Sequence, residues 1–198
     1  MDPGPRALLK GEKLLQEGKS QQAIEPLQRA VRLLPRTAQA YNLLGLAYHR
    51  TRQAEHAQRF YRHALALDNN LAAARFNLGC LLLENNDLQG AIDQLTSYTY
   101  LQPNAAAGWL KLGAAQLRAQ RVDAAEKAYR AAAALEPRNA EALNGLGSVQ
   151  FYRRRMPEAY QLFNQALTEN PQYDPALLNA AIVAHQSLNN RRLALQLY

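Results

Sequence analysis

Three histidines and one cysteine are the side chains in this sequence best suited to metal or redox chemistry. His49, His56 and His63 recur at intervals of seven residues. Metal ligands on one helix are expected about three or four residues apart, or on facing elements. This spacing therefore does not predict a metal site, and we interpret the three histidines as surface side chains. Cys80 lies in a predicted helix, and we interpret it as a small packing residue.

The sequence contains no arrangement of residues that predicts catalysis. It has no glycine-rich phosphate-binding loop, no paired histidines at metal-binding spacing and no nucleophile motif. The remaining polar and apolar side chains are suited to recognition rather than to bond making. We therefore predict a protein that is not an enzyme and that has no cofactor and no bound metal.

The chain is basic, with 23 Lys and Arg residues, 16 Asp and Glu residues and a formal net charge of +7. Such a charge favours acidic partners and attracts nucleic acid weakly. A solvated, arginine-rich helical surface accounts for it better, because few aromatic residues lie among the arginines. An RNA-binding helical array is the less favoured alternative, with Arg59, Arg62, Arg153, Arg154 and Arg155 as its candidate residues.

Cysteine usage and hydropathy bear on the compartment. One cysteine permits no disulfide within the chain, which fits a reducing compartment. No apolar run is long enough to span a membrane, and the first residues, MDPGPRALLKGEK, contain no apolar signal-peptide core. We expect a cytoplasmic protein that does not insert into membranes.

An interval of 34 residues organises almost the whole chain. Small residues recur at two positions, and residues that end helices recur at a third. Glycine inside a helix costs about 1 kcal/mol relative to alanine, so its recurrence indicates that two helices approach closely. The three series are Gly11, Gly45, Gly79, Gly113 and Gly147; Ala23, Ala57, Ala91, Ala125 and Ala159; and Pro35, Asn69, Pro103, Pro137 and Pro171.

The fourth repeat shows the pattern most clearly, with Trp109-x2-Leu112-Gly113 followed by Ala125-x3-Tyr129. It resembles the tetratricopeptide repeat (TPR), a helix–turn–helix unit of 34 residues. The resemblance implies an all-α fold, a right-handed α-solenoid (TPR superhelix) of antiparallel helix pairs, each with a helix A and a helix B. A single array over 1–198 is expected, with repeats at about 4–37, 38–71, 72–105, 106–139 and 140–173 and a truncated sixth at 174–198.

The candidate functional surface is the face of helix A opposite to its core stripe. In the fourth repeat Trp109, Leu112 and Gly113 mark the core stripe, and Leu110 and Lys111 lie on the opposite side. The resemblance implies that this face lines a concave groove that binds a peptide or protein segment. Across the repeats the candidate groove residues are Asn42, Leu46, His49, Phe76, Asn77, Leu110, Lys111, Arg118, Asn144, Phe151, Tyr152 and Asn179.

The side chains on this face suggest how a peptide is held. Asparagine amides both donate and accept hydrogen bonds, and can pair with a peptide backbone of any sequence. Lys111 and Arg118 can hold a carboxylate. The apolar residues indicate an interaction site, because contiguous exposed apolar surface usually marks one. The alternative is that these apolar residues pack between adjacent A helices.

The sequence thus predicts a protein–protein interaction scaffold whose partner is a protein or peptide, with nucleic acid as an unlikely partner. The alternative is a substrate-recognition or assembly segment of a larger protein, because the chain ends at Tyr198, within the last predicted helix B. Leu193, Leu195 and Leu197 have no polar helix after them, and terminal repeats normally need one. We therefore expect possible self-association through that end.

Overall fold

A computed structural model describes residues 2–186, and every regular element in that range is an α-helix. The described residues divide into two compact units, one up to Leu101 and one from Gln102. Odd-numbered helices are the A helices of the repeats, and even-numbered helices are the B helices. The first unit holds α1 (Pro3–Gln16), α2 (Ser20–Leu33), α3 (Ala38–Arg50), α4 (Ala54–Leu67), α5 (Ala72–Glu84) and α6 (Leu88–Leu101). The second holds α7 (Ala106–Arg118), α8 (Val122–Leu135), α9 (Ala140–Tyr152), α10 (Met156–Glu169) and α11 (Asp174–Gln186).

The all-α helical repeat fold predicted from the sequence is confirmed. Each helix pair corresponds to one 34-residue repeat, and the division between the units falls after the third repeat. The apolar end formed by Leu193, Leu195 and Leu197 lies outside the described residues. Self-association through that end therefore stays a prediction.

The glycines of the 34-residue series lie where helix A comes closest to the helix B of its own repeat. A Cβ atom added to Gly45 would lie 2.7 Å from the ring of Tyr61. One added to Gly147 would lie 2.5 Å from the ring of Phe163. At distances under 3.0 Å something has to shift, so a larger residue does not fit without rearrangement. The predicted reason for glycine, close helix approach, is confirmed at these positions.

The alanine series occupies the facing positions on the B helices. All five of its members are completely buried, with 0% of their surface exposed: Ala23, Ala57, Ala91, Ala125 and Ala159. A small side chain here lets helix B lie against helix A while the larger residue four positions later fills the core. In the second and fifth repeats that larger residue is Tyr61 and Phe163, which are 0% and 1% exposed.

The A–B turns end helix A in one repeated way. In the fourth repeat the N–H of Gln120 donates to the carbonyl of Leu117 over 2.9 Å, and the N–H of Arg121 donates to the carbonyl of Gln116 over 2.8 Å. This pair of bonds is the Schellman motif, which requires one residue in the left-handed region. The residues with positive φ at the five turns are Gly18, Arg52, Asn86, Gln120 and Arg154.

Replacing Gln120 by glycine is expected to raise the free energy of unfolding by about 0.5–1 kcal/mol, because the left-handed conformation strains a residue that has a Cβ atom. Gln120 has a φ of 59° and is exposed, so the substitution removes little packing. Urea denaturation followed by circular dichroism measures the change. Gln120→Ala is the control and should show no gain. A glycine variant no more stable than the alanine variant contradicts the prediction.

The B–A turns follow the proline series. The turn at Pro35 closes with a backbone hydrogen bond of 3.1 Å. At Asn69 the equivalent bond runs from the N–H of Leu71 to the carbonyl of Asp68 over 3.2 Å. Each B helix ends two residues before its series position in both cases. Asn69 therefore forms the same turn that proline forms elsewhere, as the sequence predicted.

Candidate peptide-binding face

Hydrogen bonds between residues 35 positions apart join the A helices of neighbouring repeats. In the first unit the amide nitrogen of Asn77 donates to the amide oxygen of Asn42 over 3.0 Å. In the second unit Asn179 donates to Asn144 in the same way over 2.9 Å. The two pairs occupy equivalent repeat positions, so each unit has one Asn–Asn pair between two of its A helices.

These pairs change the role predicted for the asparagines. Asn42 is only 2% exposed, so it is not available to a peptide, in contrast to the prediction from the sequence. A buried amide left without a partner costs about 1–3 kcal/mol, and the bond from Asn77 meets this need at the junction of α3 and α5. Asn77, Asn144 and Asn179 are half-buried. Each amide has more donor and acceptor groups than its pair uses.

Two apolar residues predicted to line the groove belong to the core instead. Leu110 and Leu117 are 5% and 9% exposed, and they form a cluster with Tyr129 and Val149 of neighbouring helices. For these two leucines the alternative reading, packing between helices, is the one that the structure shows. The periodicity of helix A alone could not separate the two, because an A helix has neighbours on several sides.

The basic residues on α7 differ in their surroundings. The Nζ atom of Lys111 lies 2.8 Å from Oε1 of Glu141, and both side chains are about two-fifths exposed. An ion pair with this exposure contributes about 0–1 kcal/mol. A ligand carboxylate at Lys111 therefore has to compete with a weak partner from the same chain. Arg118 is exposed in the last turn of α7.

The first unit has a cleft between α3 and α5 with a volume of about 360 Å³. Four predicted groove residues, Leu46, His49, Phe76 and Asn77, share this cleft. Its lining combines apolar side chains with both signs of charge. The other lining residues are Arg50, Arg52, Cys80 and Glu84.

Polar contacts hold His49 in place in this cleft. Its Nε2 atom lies 3.0 Å from Oε2 of Glu84, and its Nδ1 atom lies 3.4 Å from the hydroxyl of Tyr61. Burial raises the pKa of Tyr61 well above its usual value, so that hydroxyl keeps its proton. Arg50 donates from Nη1 to the carbonyl of Leu15 over 2.8 Å. A ligand in this cleft meets polar groups that are already oriented.

The second unit has a smaller cleft, of about 160 Å³, between α9 and α11. Predicted groove residues Phe151, Tyr152 and Asn179 line it, together with Ser148, Phe163 and Ile182. Tyr152 is 51% exposed. An apolar cavity of about 150 Å³ accommodates a molecule the size of benzene. This mostly apolar cleft is therefore large enough for one apolar side chain.

The two clefts occupy the same place in the repeat. Ser148, Asn179 and Ile182 follow Leu46, Asn77 and Cys80, respectively, by an interval of three repeats. Their chemistry differs, since the first cleft is charged and the second is mostly apolar. Each unit thus has one cleft beside its Asn–Asn pair.

Some cleft residues were not predicted from the sequence. Ser148 is the equivalent of the predicted Leu46, so a step of 34 residues through the repeats would have identified it. Ile182 and Cys80 are equivalent to each other and could have been found together. Arg52 lies in an A–B turn, and no helical pattern points to it.

Arg153, a candidate for nucleic-acid binding, is held by acidic residues of its own unit. Its Nη2 atom lies 2.6 Å from carboxylate oxygens of both Asp123 and Glu126. These hydrogen bonds, with Glu126 the larger cause, raise the pKa of the guanidinium. The Arg153–Arg155 run therefore does not present three equivalent cations. Arg154 and Arg155 are exposed.

Two further features concern residues 2–186 only. No group of three or more His, Cys, Asp or Glu side chains in this range is arranged to hold a metal ion. Among the helices of the same range, none is long and apolar enough to cross a membrane.

Sequence profiles of known families match most of the chain. A tetratricopeptide repeat profile matches residues 76–135 and 110–174, and a second one matches residues 38–71. A TPR repeat profile matches residues 11–51. The chain belongs to the tetratricopeptide repeat family. No curated protein matches this TPR chain in sequence.

Solved structures share the fold of this TPR chain. PilF of Pseudomonas aeruginosa has a TM-score of 0.82 and 22% identity, over 98% of this chain and 88% of PilF. PilW, a type IV pilus biogenesis factor, has a TM-score of 0.86 and 17% identity, over 98% of this chain and 90% of PilW. YrrB, a TPR protein with an unusual peptide-binding site, has a TM-score of 0.76 and 19% identity, over 86% of this chain and 88% of YrrB. At these identities the likeness establishes the fold alone.

Proposed function

We propose that this TPR protein is a non-catalytic scaffold that binds a peptide or protein segment on the A-helix face. One observation carries the proposal: both units have a cleft at the same repeat position, beside an Asn–Asn pair. Membership in the TPR family supports it, because repeat arrays chiefly supply extended binding surfaces.

The contacts suggest how each cleft holds its segment. The amide of Asn77 or Asn179 has donor and acceptor capacity beyond its helix-to-helix bond, and this can pair with a peptide backbone. A side chain of the same segment then enters the adjacent cleft. In the first unit Arg50 and Arg52 favour a side chain with a carboxylate. In the second unit the cleft favours an apolar side chain.

Selection from a phage-displayed library of random peptides tests the proposal with the intact protein. Affinities of selected, fluorescently labelled peptides are then measured by anisotropy. Tyr152→Ala is expected to weaken binding of peptides held by the second unit about tenfold, because aromatic anchors carry much of the energy of such interfaces. Tyr100→Ala is the matched control, since Tyr100 is 86% exposed and lies on α6.

The first unit is tested in the same way with Leu46→Ala. Its control is Leu67→Ala, which removes a leucine that is 39% exposed at the end of α4. Peptides that bind the wild type and both cleft variants with equal affinity would show that the clefts are not the site. Failure to select any peptide would contradict the proposed mode of binding.

A further inference from the structure

A third cleft, of about 400 Å³, lies between α1 and α2 and shares no residue with the clefts described above. Ala7 and Pro26 form apolar parts of its lining. Arg6, Lys10 and Arg29 add three cationic side chains to it. The A-helix face does not account for this cleft, so it needs an explanation of its own.

The following repeats place a large side chain at the position that Ala7 occupies. That position holds Tyr41 in the second repeat and Arg75 in the third. The ring of Tyr41 lies 4.2 Å from the ring of His63, between ring centroids. The guanidinium of Arg75 donates to Oε1 of Gln94 over 2.9 Å. In both repeats one planar group of helix A covers helix B.

The cleft in the first repeat corresponds to the space that these planar groups fill. Arg29 is the equivalent of His63, on which Tyr41 packs, and Pro26 is the equivalent of Gln94, to which Arg75 donates. With only the methyl group of Ala7 on α1, the space above Pro26 and Arg29 stays open. The repeat itself therefore indicates the shape of the missing group, which is a flat ring or a comparable planar side chain.

The charge of the lining indicates what should surround that ring. Arg6, Lys10 and Arg29 are exposed, and Glu25 is the acidic residue among the lining residues. Arg6 and Lys10 lie one helical turn apart, so they repel each other weakly. Within the part of the chain that the structure describes, these three cations form no ion pair with a carboxylate. Acidic groups brought by a partner would offset this excess of positive charge.

We propose that the cleft between α1 and α2 docks an aromatic side chain from an acidic segment of a partner protein. The ring takes the place that Tyr41 takes in the second repeat. Carboxylates on either side of it pair with Arg6, Lys10 and Arg29. Arginine also packs favourably on aromatic faces, which suits Arg29 to contact the ring.

A labelled peptide with one tryptophan flanked by glutamates is the probe, and the full chain is the receptor. We expect measurable binding by fluorescence anisotropy that weakens as salt increases. Replacing the tryptophan of the peptide by alanine should weaken binding about tenfold or more. Equal affinity of both peptides would overturn the proposal, because the cleft would then attract only negative charge.

Two variants of the protein locate the site. Ala7→Tyr supplies the residue of the second repeat and should abolish binding while thermal unfolding, followed by circular dichroism, stays cooperative. Since Ala7 is only 6% exposed, Arg29→Glu provides a second variant at an exposed position and should weaken binding about tenfold. Tyr152→Ala, which alters the cleft of the second unit, should bind the probe as the wild type does.

Two results would overturn the assignment. One is unchanged affinity in the Arg29→Glu variant, which would place the peptide elsewhere. The other is concentration-dependent dimerisation of the wild type, seen by sedimentation, that the Ala7→Tyr variant lacks. That result would make a second copy of this chain the occupant of the cleft.

Discussion

Gly145→Ala is expected to lower the free energy of unfolding by about 2 kcal/mol, although alanine is the better helix former. Overpacking a core costs about 1–3 kcal/mol and occasionally more, and alanine returns about 1 kcal/mol of helix propensity. The ring of Tyr129 lies against both Gly113 and Gly145. A Cβ atom on Gly145 would overlap the ring, and the ring cannot retreat because Gly113 is already in close contact with it.

Urea denaturation of the Gly145→Ala protein measures this loss. Gly90→Ala is the matched control, because a Cβ atom at Gly90 meets only the flexible carboxylate of Asp87. That control should be as stable as the wild type or slightly more stable. The double variant Gly145→Ala with Tyr129→Leu tests the cause, since leucine occupies the position of Tyr129 in the third repeat, at Leu95. Equal loss from Gly145→Ala in both backgrounds would show that the ring is not responsible.

Raising the pH above about 10 is expected to destabilise the protein steeply, by about 1.4 kcal/mol per pH unit for each buried tyrosine. Burial raises the pKa of Tyr61 and of Tyr129 well above the ordinary value of 10.0. Above pH 10 the unfolded chain releases these protons while the folded chain retains them. The unfolded state then gains stability with each pH unit until the folded-state pKa is reached.

Denaturation series on both sides of pH 10 follow this loss. Tyr61→Phe and Tyr129→Phe should each reduce the slope by about 1.4 kcal/mol per pH unit, because phenylalanine has no proton to release. Tyr100→Phe is the control, since Tyr100 is 86% exposed, and it should leave the slope unchanged. A slope that persists in the double phenylalanine variant would assign the alkaline loss to other groups.

The fold was predictable from the sequence because it depends on contacts inside one repeat. Gly45 and Tyr61, for example, lie 16 positions apart in a single helix pair, and the same spacing recurs in Gly147 and Phe163. The 34-residue interval therefore reports both helices and their packing at once. Asn69 could be recognised as a turn residue because it falls in the proline series.

Contacts between repeats were harder to predict because they depend on how far one A helix is shifted along the next. The periodicity placed Leu110 on the outer face of its helix, yet this leucine packs in the core cluster that contains Val149 of α9. The pairing of Asn42 with Asn77 also needs the offset of 35 residues, which a repeat of 34 does not reveal. The conformation of Gln120 was missed since its type does not favour positive φ.

The offset of the asparagine pairs has a consequence for how such a chain can be inherited or rearranged. Each repeat carries an acceptor for the repeat that follows and, one residue later, a donor for the repeat that precedes it. The second and fifth repeats carry the acceptors Asn42 and Asn144, and the third and sixth carry the donors Asn77 and Asn179. A duplication or exchange of one repeat separates acceptor from donor. The smallest segment that can be copied or swapped with its polar junction intact is therefore two consecutive repeats.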